Sequence, residues 1–263
     1  LIKMVNNKIF LSVIIPTYNS SKTILKTLES VNNQNYENYE IIIVDSFSAD
    51  NTILKIRSLR NEKIKFFFTD KKKGLAYARY FGILKSKGKY IAFLDSDDEW
   101  QPGKIHKQME FMRTRRSVFS CTNFQLQSNR SIKKIFITEN KIFYKDLLTS
   151  RPIALSSVIV LKNILTKVAK NYHTNNYAED YLWWIMILKK KYYCDVIKSN
   201  LTVINVVKNS RSIKIFLNYI GLLKIYRKNL KISFGRIFII FVLLAYNTFG
   251  KNIFKYKKLF LDK

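Results

Sequence analysis

Acidic residues are scarce in this chain: 18 Asp and Glu stand against 47 Lys and Arg among 263 residues, a formal net charge of +29. Such an imbalance points to polyanionic partners, nucleic acid or an anionic membrane surface, unless a source rich in Lys, Asn, Ile, Tyr and Phe raises the Lys count with no partner involved. Cysteine is nearly missing. Cys121 and Cys194 lie far apart without metal-ligand spacing and fit reduced, buried thiols in a cytoplasmic chain. His106 and His173 are the sole histidines, and a lone imidazole without a second ligand makes a poor metal site, so surface and loop positions are expected. Long apolar runs are also absent. The longest, Ile237 to Tyr246, reaches about half of the roughly 20 residues that cross a bilayer. The stretch Leu1 to Lys8 shows no signal-peptide pattern.

What is present is a core. With 48% hydrophobic residues the chain suits one α/β domain plus an appendage, not a disordered protein. Leu11 to Pro16 is a compact apolar strand, and Asn19-Ser20-Ser21 offers helix caps before Ile24, Leu25, Leu28 and Val31 recur at helical spacing. The unit repeats: strand Tyr39 to Val44 with a helix from Asn51 to about Leu59, strand Lys65 to Thr69 with helix Gly74 to Ser86, then strand Tyr90 to Leu94. Strands without polar alternation, interleaved with helices, predict a parallel sheet covered on both faces. Ligands of such sheets bind beyond the carboxyl ends of the strands.

The polar clusters fall at those ends: Pro16 to Asn19, Asp45 to Asp50, Asp70 to Gly74, and Asp95 to Asp98. Asp95-Ser96-Asp97-Asp98 crowds three carboxylates into four positions. Close like charges repel unless a cation lies between them, and oxygen-only donors favour Mg²⁺ or Mn²⁺ bound together with phosphates. The alternative is an Asp-rich turn capping the helix that runs from Pro102 to Arg115. Further on, Val118 to Gln125, Ile132 to Ile137 and Ser156 to Val160 read as strands, Ala178 to Lys190 as a helix opened by Glu179-Asp180, and Tyr192 to Ile197 and Leu201 to Val207 as two more strands. From Arg211 the chain is aromatic, aliphatic, basic and helical in pattern.

Pro16-Thr17-Tyr18-Asn19, Asp45, Gly74 to Arg79, Gly88 through Asp98 to Pro102, and Glu179-Asp180 before an aromatic helix together resemble the family 2 glycosyltransferases of the GT-A fold, over roughly Leu11 to Ile197. The resemblance implies a mixed, mainly parallel α/β sheet of the Rossmann-like nucleotide-diphospho-sugar transferase type. It also implies a nucleotide-sugar donor, a UDP-sugar in expectation, a divalent ion (Mn²⁺ or Mg²⁺), and inversion at the anomeric carbon. Residues 1–210 would form the transferase domain, with a nucleotide-binding half at about 9–100 and an acceptor half at about 101–210, followed by a basic amphipathic tail over 211–263.

Carried onto this chain, the family pattern places Pro16, Thr17, Tyr18, Asn19, Asp45, Arg79, Asp95 and Ser96 at the donor, Asp97 at the metal, and Asp180 as general base. Glu179, Trp183 and Asp98 become candidates for acceptor contact. Blander readings stay open: Asp45 in a capping turn, Arg79 as a solvated helix charge, Glu179 and Asp180 as acids favoured at a helix start, and Trp183 and Trp184 as core. Two departures stand out. Asp45 is followed by Ser46 and Phe47 where the family has a second acid and a small residue, and Tyr80 follows Arg79 where Asn is common. The expected role is extension of a bacterial surface polysaccharide or lipid-linked oligosaccharide, in the cytoplasm or peripheral on the inner membrane, with no nucleic-acid partner. A degenerate scaffold subunit and a basic nucleic-acid-binding protein are the rivals. The tail either docks on anionic lipid or packs on the domain.

Overall fold

The computed structural model describes residues 10–70, 73–128, 131–150, 152–172, 178–206 and 222–249, with side chains given as far as residue 244. His173 and the tail segments 207–221 and 250–263 lie outside the described residues. Strands β1 (Leu11–Thr17), β2 (Tyr39–Asp45), β3 (Ile64–Phe68) and β4 (Tyr90–Phe93) alternate with helices α1 (Ile24–Asn32), α2 (Thr52–Ser58) and α3 (Gly74–Lys85). They pair in the order β3-β2-β1-β4, every pair parallel, Leu11 opposite both Tyr39 and Tyr90. The order arises because β2 and β3 are added on one side of β1 and β4 on the other. The crevice where the winding reverses therefore opens between the ends of β1 and β4.

Alternation along β1 and β2 feeds two cores. Ile14, Ile42 and Val44 face one way, with Ala78 and Ile83 of α3; Val13, Ile15, Ile41 and Ile43 face the other, with Ile24, Leu28 and Val31 of α1. Both faces are dry, which explains why these strands carry no polar alternation.

The second half extends the same sheet. After β5 (Glu99–Trp100) and α4 (Lys104–Thr114) come β6 (Phe119–Gln127), β7 (Ile132–Ile135), β8 (Lys141–Ile142), α5 (Tyr144–Thr149), β9 (Ile159–Leu161), α6 (Lys162–Tyr172), α7 (Glu179–Lys189) and β10 (Cys194–Asn205). β9 joins the halves, antiparallel to both β4 and β6, and β10 runs parallel to β6. The ten strands form one mixed α/β sheet flanked by helices. Two details differ from the sequence reading. Ser156 belongs to a tight 3-10 turn (Leu155–Ser157) that precedes β9, and the two strands expected around Lys198 to Asn200 are one strand whose register shifts between Ile197 and Thr202. A polar tripeptide can interrupt the apolar pattern of a strand without ending it, since a bulge keeps the ladder going on either side.

The C-terminal segment packs on this body. A π-helical turn (Ile225–Asn229) leads into α8 (Phe234–Phe249), and Leu222, Ile225, Tyr226, Leu230, Ile237, Ile240 and Leu244 enter the core shared with α5 and α7.

Candidate active site

The end of β1 and the loop after β2 are fastened together. Asp45 is fully buried; its carboxylate accepts hydrogen bonds from Thr17 Oγ1 at 2.6 Å, Ser48 N at 2.8 Å and Ser48 Oγ at 2.7 Å. Asn19 Oδ1 accepts from Ala49 N, and Ser48 Oγ from Asn19 N. Both Asp45 oxygens are thus engaged inside the protein. Asp45 thereby shapes the loop, and Thr17, also buried, acts with it. What these loops leave facing outward is aromatic, Tyr18 and Phe47 being the exposed large side chains there. Phe47 has φ +58°, a left-handed backbone that a small residue adopts with less strain, so the departure from the family pattern at this position carries a conformational cost.

The acidic turn after β4 is anchored from two sides. Ser96 O accepts from Thr23 and Thr27 hydroxyls at 2.8 and 3.0 Å, and its own hydroxyl meets Ser20 Oγ at 2.8 Å. On the other side Ser156 Oγ donates to Asp98 Oδ2 at 2.6 Å, Asn205 N to Asp98 Oδ1 at 3.0 Å, and Asn205 Nδ2 to Asp97 O at 2.6 Å. Asp98 is therefore a buried brace, its protonation favoured first by burial and then by Asp95 and Asp97. Each oxygen of Asp98, a candidate for acceptor contact, accepts one hydrogen bond inside the protein. Ser156 and Asn205 were missed by sequence reasoning, since nothing local in a chain marks a serine 58 residues from its partner or an asparagine 107 residues away.

Arg79 ties the two halves. The α3 guanidinium is buried, donates to Asp95 Oδ1 at 2.6 Å through Nη2, and bonds Glu179 Oε1 through Nη1. Burial opposes its charge, yet the fields of Asp95, Glu179 and Asp180 outweigh this and hold it protonated. The solvated-charge reading fails, and the donors of its two Nη groups point to carboxylates of the protein. Glu179 is buried in this pair. Trp183 is fully buried, tilted against Phe93 and edge-on to Trp184, which is itself core; a stacking platform for sugar would need an open face that Trp183 lacks.

Asp97 and Asp180 are left. Both are half-buried, and neither carboxylate is joined by a hydrogen bond or ion pair to the side chain of another described residue. Burial, followed by repulsion from Asp95, raises the Asp97 carboxyl to about 6. Among the described residues no group of three or more His, Cys, Asp or Glu converges into a metal cage. The donor set does fit a hard divalent ion shared with a ligand. Asp97 presents oxygens whose anion is held under repulsion, Asp95 stands beside it, and the remaining coordination positions are left for phosphate oxygens and water, as such ions prefer.

A parallel half-sheet whose winding reverses at an acidic turn, coupled through a buried arginine to a second half carrying one more carboxylate, defines an enzyme of the GT-A glycosyltransferase architecture. The chain belongs to glycosyl transferase family 2, whose model matches residues 12–160. Two Escherichia coli proteins named UDP-Glc:alpha-D-GlcNAc-diphosphoundecaprenol beta-1,3-glucosyltransferase are similar in sequence. WfaP is 37% identical over 179 residues, 68% of this chain and 70% of that protein. WfgD is 34% identical over 178 residues, 68% and 69% of the two chains. The mannosyltransferase PcManGT from Pyrobaculum calidifontis, solved in complex with GDP-Man and Mn²⁺, shares the fold with a TM-score of 0.68 at 17% identity, covering 89% of this chain and 69% of that one.

Proposed function

We propose that this glycosyltransferase is a metal-dependent, inverting enzyme that moves a hexosyl or N-acetylhexosaminyl group from a UDP-sugar to a saccharide on a lipid carrier, within synthesis of a bacterial surface polysaccharide. The observation that carries the reading is the Arg79 bridge. By binding Asp95 and Glu179 at once it brings the start of α7, with Asp180, to the edge where Asp97 sits. The E. coli relatives named for UDP-Glc and a diphosphoundecaprenol acceptor support the donor and acceptor classes.

In this mechanism Asp180 accepts the proton of the acceptor hydroxyl as its oxygen attacks the anomeric carbon. The new C–O bond forms on the face opposite the departing diphosphate, which leaves with the electron pair of the broken bond, so the configuration inverts. Asp97, with Asp95 beside it, would hold Mn²⁺ or Mg²⁺, which supplies charge dispersal for the leaving diphosphate. Tyr18 and the loop pinned by Asp45 and Asn19 form the wall against which the base would lie. Asp180, acting as general base, would contribute about 10²- to 10⁴-fold. Asp180→Asn tests the assignment: with a panel of UDP-sugars and Mn²⁺, donor affinity is expected to stay near wild type while transfer disappears. Full turnover by this variant would refute the base. The acceptor's lipid places the enzyme at the cytoplasmic face of the membrane, in peripheral contact.

A further inference from the structure

Helix α8 carries apolar side chains on both its inner and its outer side. Its inner side, Ile237, Ile240 and Leu244, packs into the core with Tyr226 and Leu230. Its outer side carries Phe234, Phe238, Ile239, Val242 and Leu243, between 41% and 71% exposed. At about 100° per residue these five spread over roughly half the helix, with Gly235 among them and no charge inside the face. Five large side chains held open to this degree make a patch on the order of 500 Å², at the size where monomers expose apolar surface for a partner.

The rim of the patch is cationic. Arg227, Lys228 and Lys231 precede α8 and Arg236 flanks its face, all exposed, and the Arg227 guanidinium lies 4.0 Å from the Phe234 ring centroid. No Asp or Glu occurs from Val196 to Leu261. α8 spans 16 residues, about 24 Å, short of a ~30 Å hydrocarbon core, and among the described residues no helix is long and apolar enough to cross a membrane. An apolar face ringed by cations on a helix too short to span matches an anionic bilayer surface in charge and in geometry.

We propose that the outer face of α8 lies in the interface of an anionic membrane, with Phe238, Ile239 and Val242 among the acyl chains and Arg227, Lys228 and Arg236 at the phosphates. The proposal deepens the membrane contact inferred above and rests on that reading only for where the acceptor waits. It is tested with the full chain by flotation on phosphatidylcholine vesicles with and without phosphatidylglycerol, alongside sedimentation velocity and transfer to a water-soluble acceptor. Wild type is expected to float with the anionic vesicles. F238E/V242E is expected to stay at the bottom with its melting temperature unchanged, because both sites are exposed. R227Q/K228Q/R236Q keeps the apolar face and is expected to bind anionic vesicles on the order of a hundredfold more weakly.

Wild type that remains soluble in the presence of vesicles overturns the proposal, as does F238E/V242E floating like wild type. So does a wild-type dimer that F238E/V242E splits into monomers, which would make the face an interface between copies. Flotation without transfer would count against the glycosyltransfer reading alone, and transfer without flotation against the docking face alone.

Discussion

Arg79→Met removes the only cation bonded to Asp95 and Glu179 among the described residues, and the consequences can be worked out. The Arg79 and Glu179 side chains are 6% and 7% exposed, so that pair is dry, whereas Asp95 at 34% is partly screened by water. Stranding one partner of a buried pair costs about 3–5 kcal/mol, and the wetter Asp95 contact adds no more than about 1 kcal/mol. For a chain of this size that corresponds to a melting temperature roughly 10 °C lower. Glu179→Met in the same chain should restore most of the loss, because a buried ion pair exchanged whole for apolar side chains is close to neutral.

The deficit also depends on pH. Glu179 is already raised above its ordinary value by burial, with Arg79 opposing; without Arg79 it rises further. An acid whose folded pKa exceeds its unfolded one carries no penalty when protonated in both states, and the penalty grows as pH climbs from the unfolded value to the folded one, where it levels off. The gap between wild type and Arg79→Met should therefore be small near pH 5 and wide at pH 8 in differential scanning fluorimetry. A gap below about 2 °C with no trend in pH would refute the dry bridge.

Because Asp97 must be ionised to hold a cation and its carboxyl sits at about 6, Mn²⁺-dependent donor binding should fall as pH drops through that value; Asp97→Ala should abolish the metal dependence at every pH, as read by calorimetry with and without Mn²⁺. Tyr226 Oη bonds Leu148 O at 2.9 Å and meets Tyr181 Oη at 2.9 Å, beside Asp180, so Tyr226→Phe should cost about 1–2 kcal/mol in urea unfolding, and an unchanged midpoint would remove Tyr226 as a support of α7. A Cβ on Gly88 would stand 2.5 Å from Ser12 N and 2.8 Å from Leu11 C, both backbone of β1, and Gly88→Ala is expected to lower stability by about 1–3 kcal/mol; a neutral result would mean β1 and the turn before β4 can separate.

The half of the fold from β1 to β4 was legible because its information is local. Val13-Ile14-Ile15 and Ile41 to Val44 are apolar on both sides of each strand, and only a doubly covered sheet requires that. The acidic positions were legible too, since Asp45, Asp95 and Asp97 end those strands. What each acid does was not. Asp45 and Asp98 bury their carboxylates against Thr17, Ser48, Ser156 and Asn205, while the Asp97 carboxylate bonds no other described side chain, and this division is set by partners brought in by distant segments. Arg79 and Glu179 meet across 100 residues of sequence. Trp183 was ambiguous because an aromatic at a helix start reads alike whether it faces solvent or core; packing against Phe93 decided it.

The charge of the chain and the charge of its site have opposite signs, and the structure shows how both persist. Among the described residues the ion pairs at the acidic edge are those of Arg79 with Asp95 and Glu179, and of Lys26 with Glu99. Lys104, the other buried cation of this neighbourhood, is fully enclosed over the Trp100 ring at 4.2 Å, hydrogen-bonded to Gln108, and lowered to about 7 by burial, so it lends little positive charge. Among the described residues, no basic side chain of this strongly cationic chain is bonded to the carboxylate of Asp97 or Asp180. Were a lysine bonded to Asp97, the carboxylate would lose affinity for a divalent ion; were one bonded to Asp180, its basicity would fall and proton removal with it. Among the described residues Arg79 pairs with Asp95 and Glu179 and leaves the Asp97 and Asp180 carboxylates open, the arrangement that the proposed metal-assisted transfer with a carboxylate base would require.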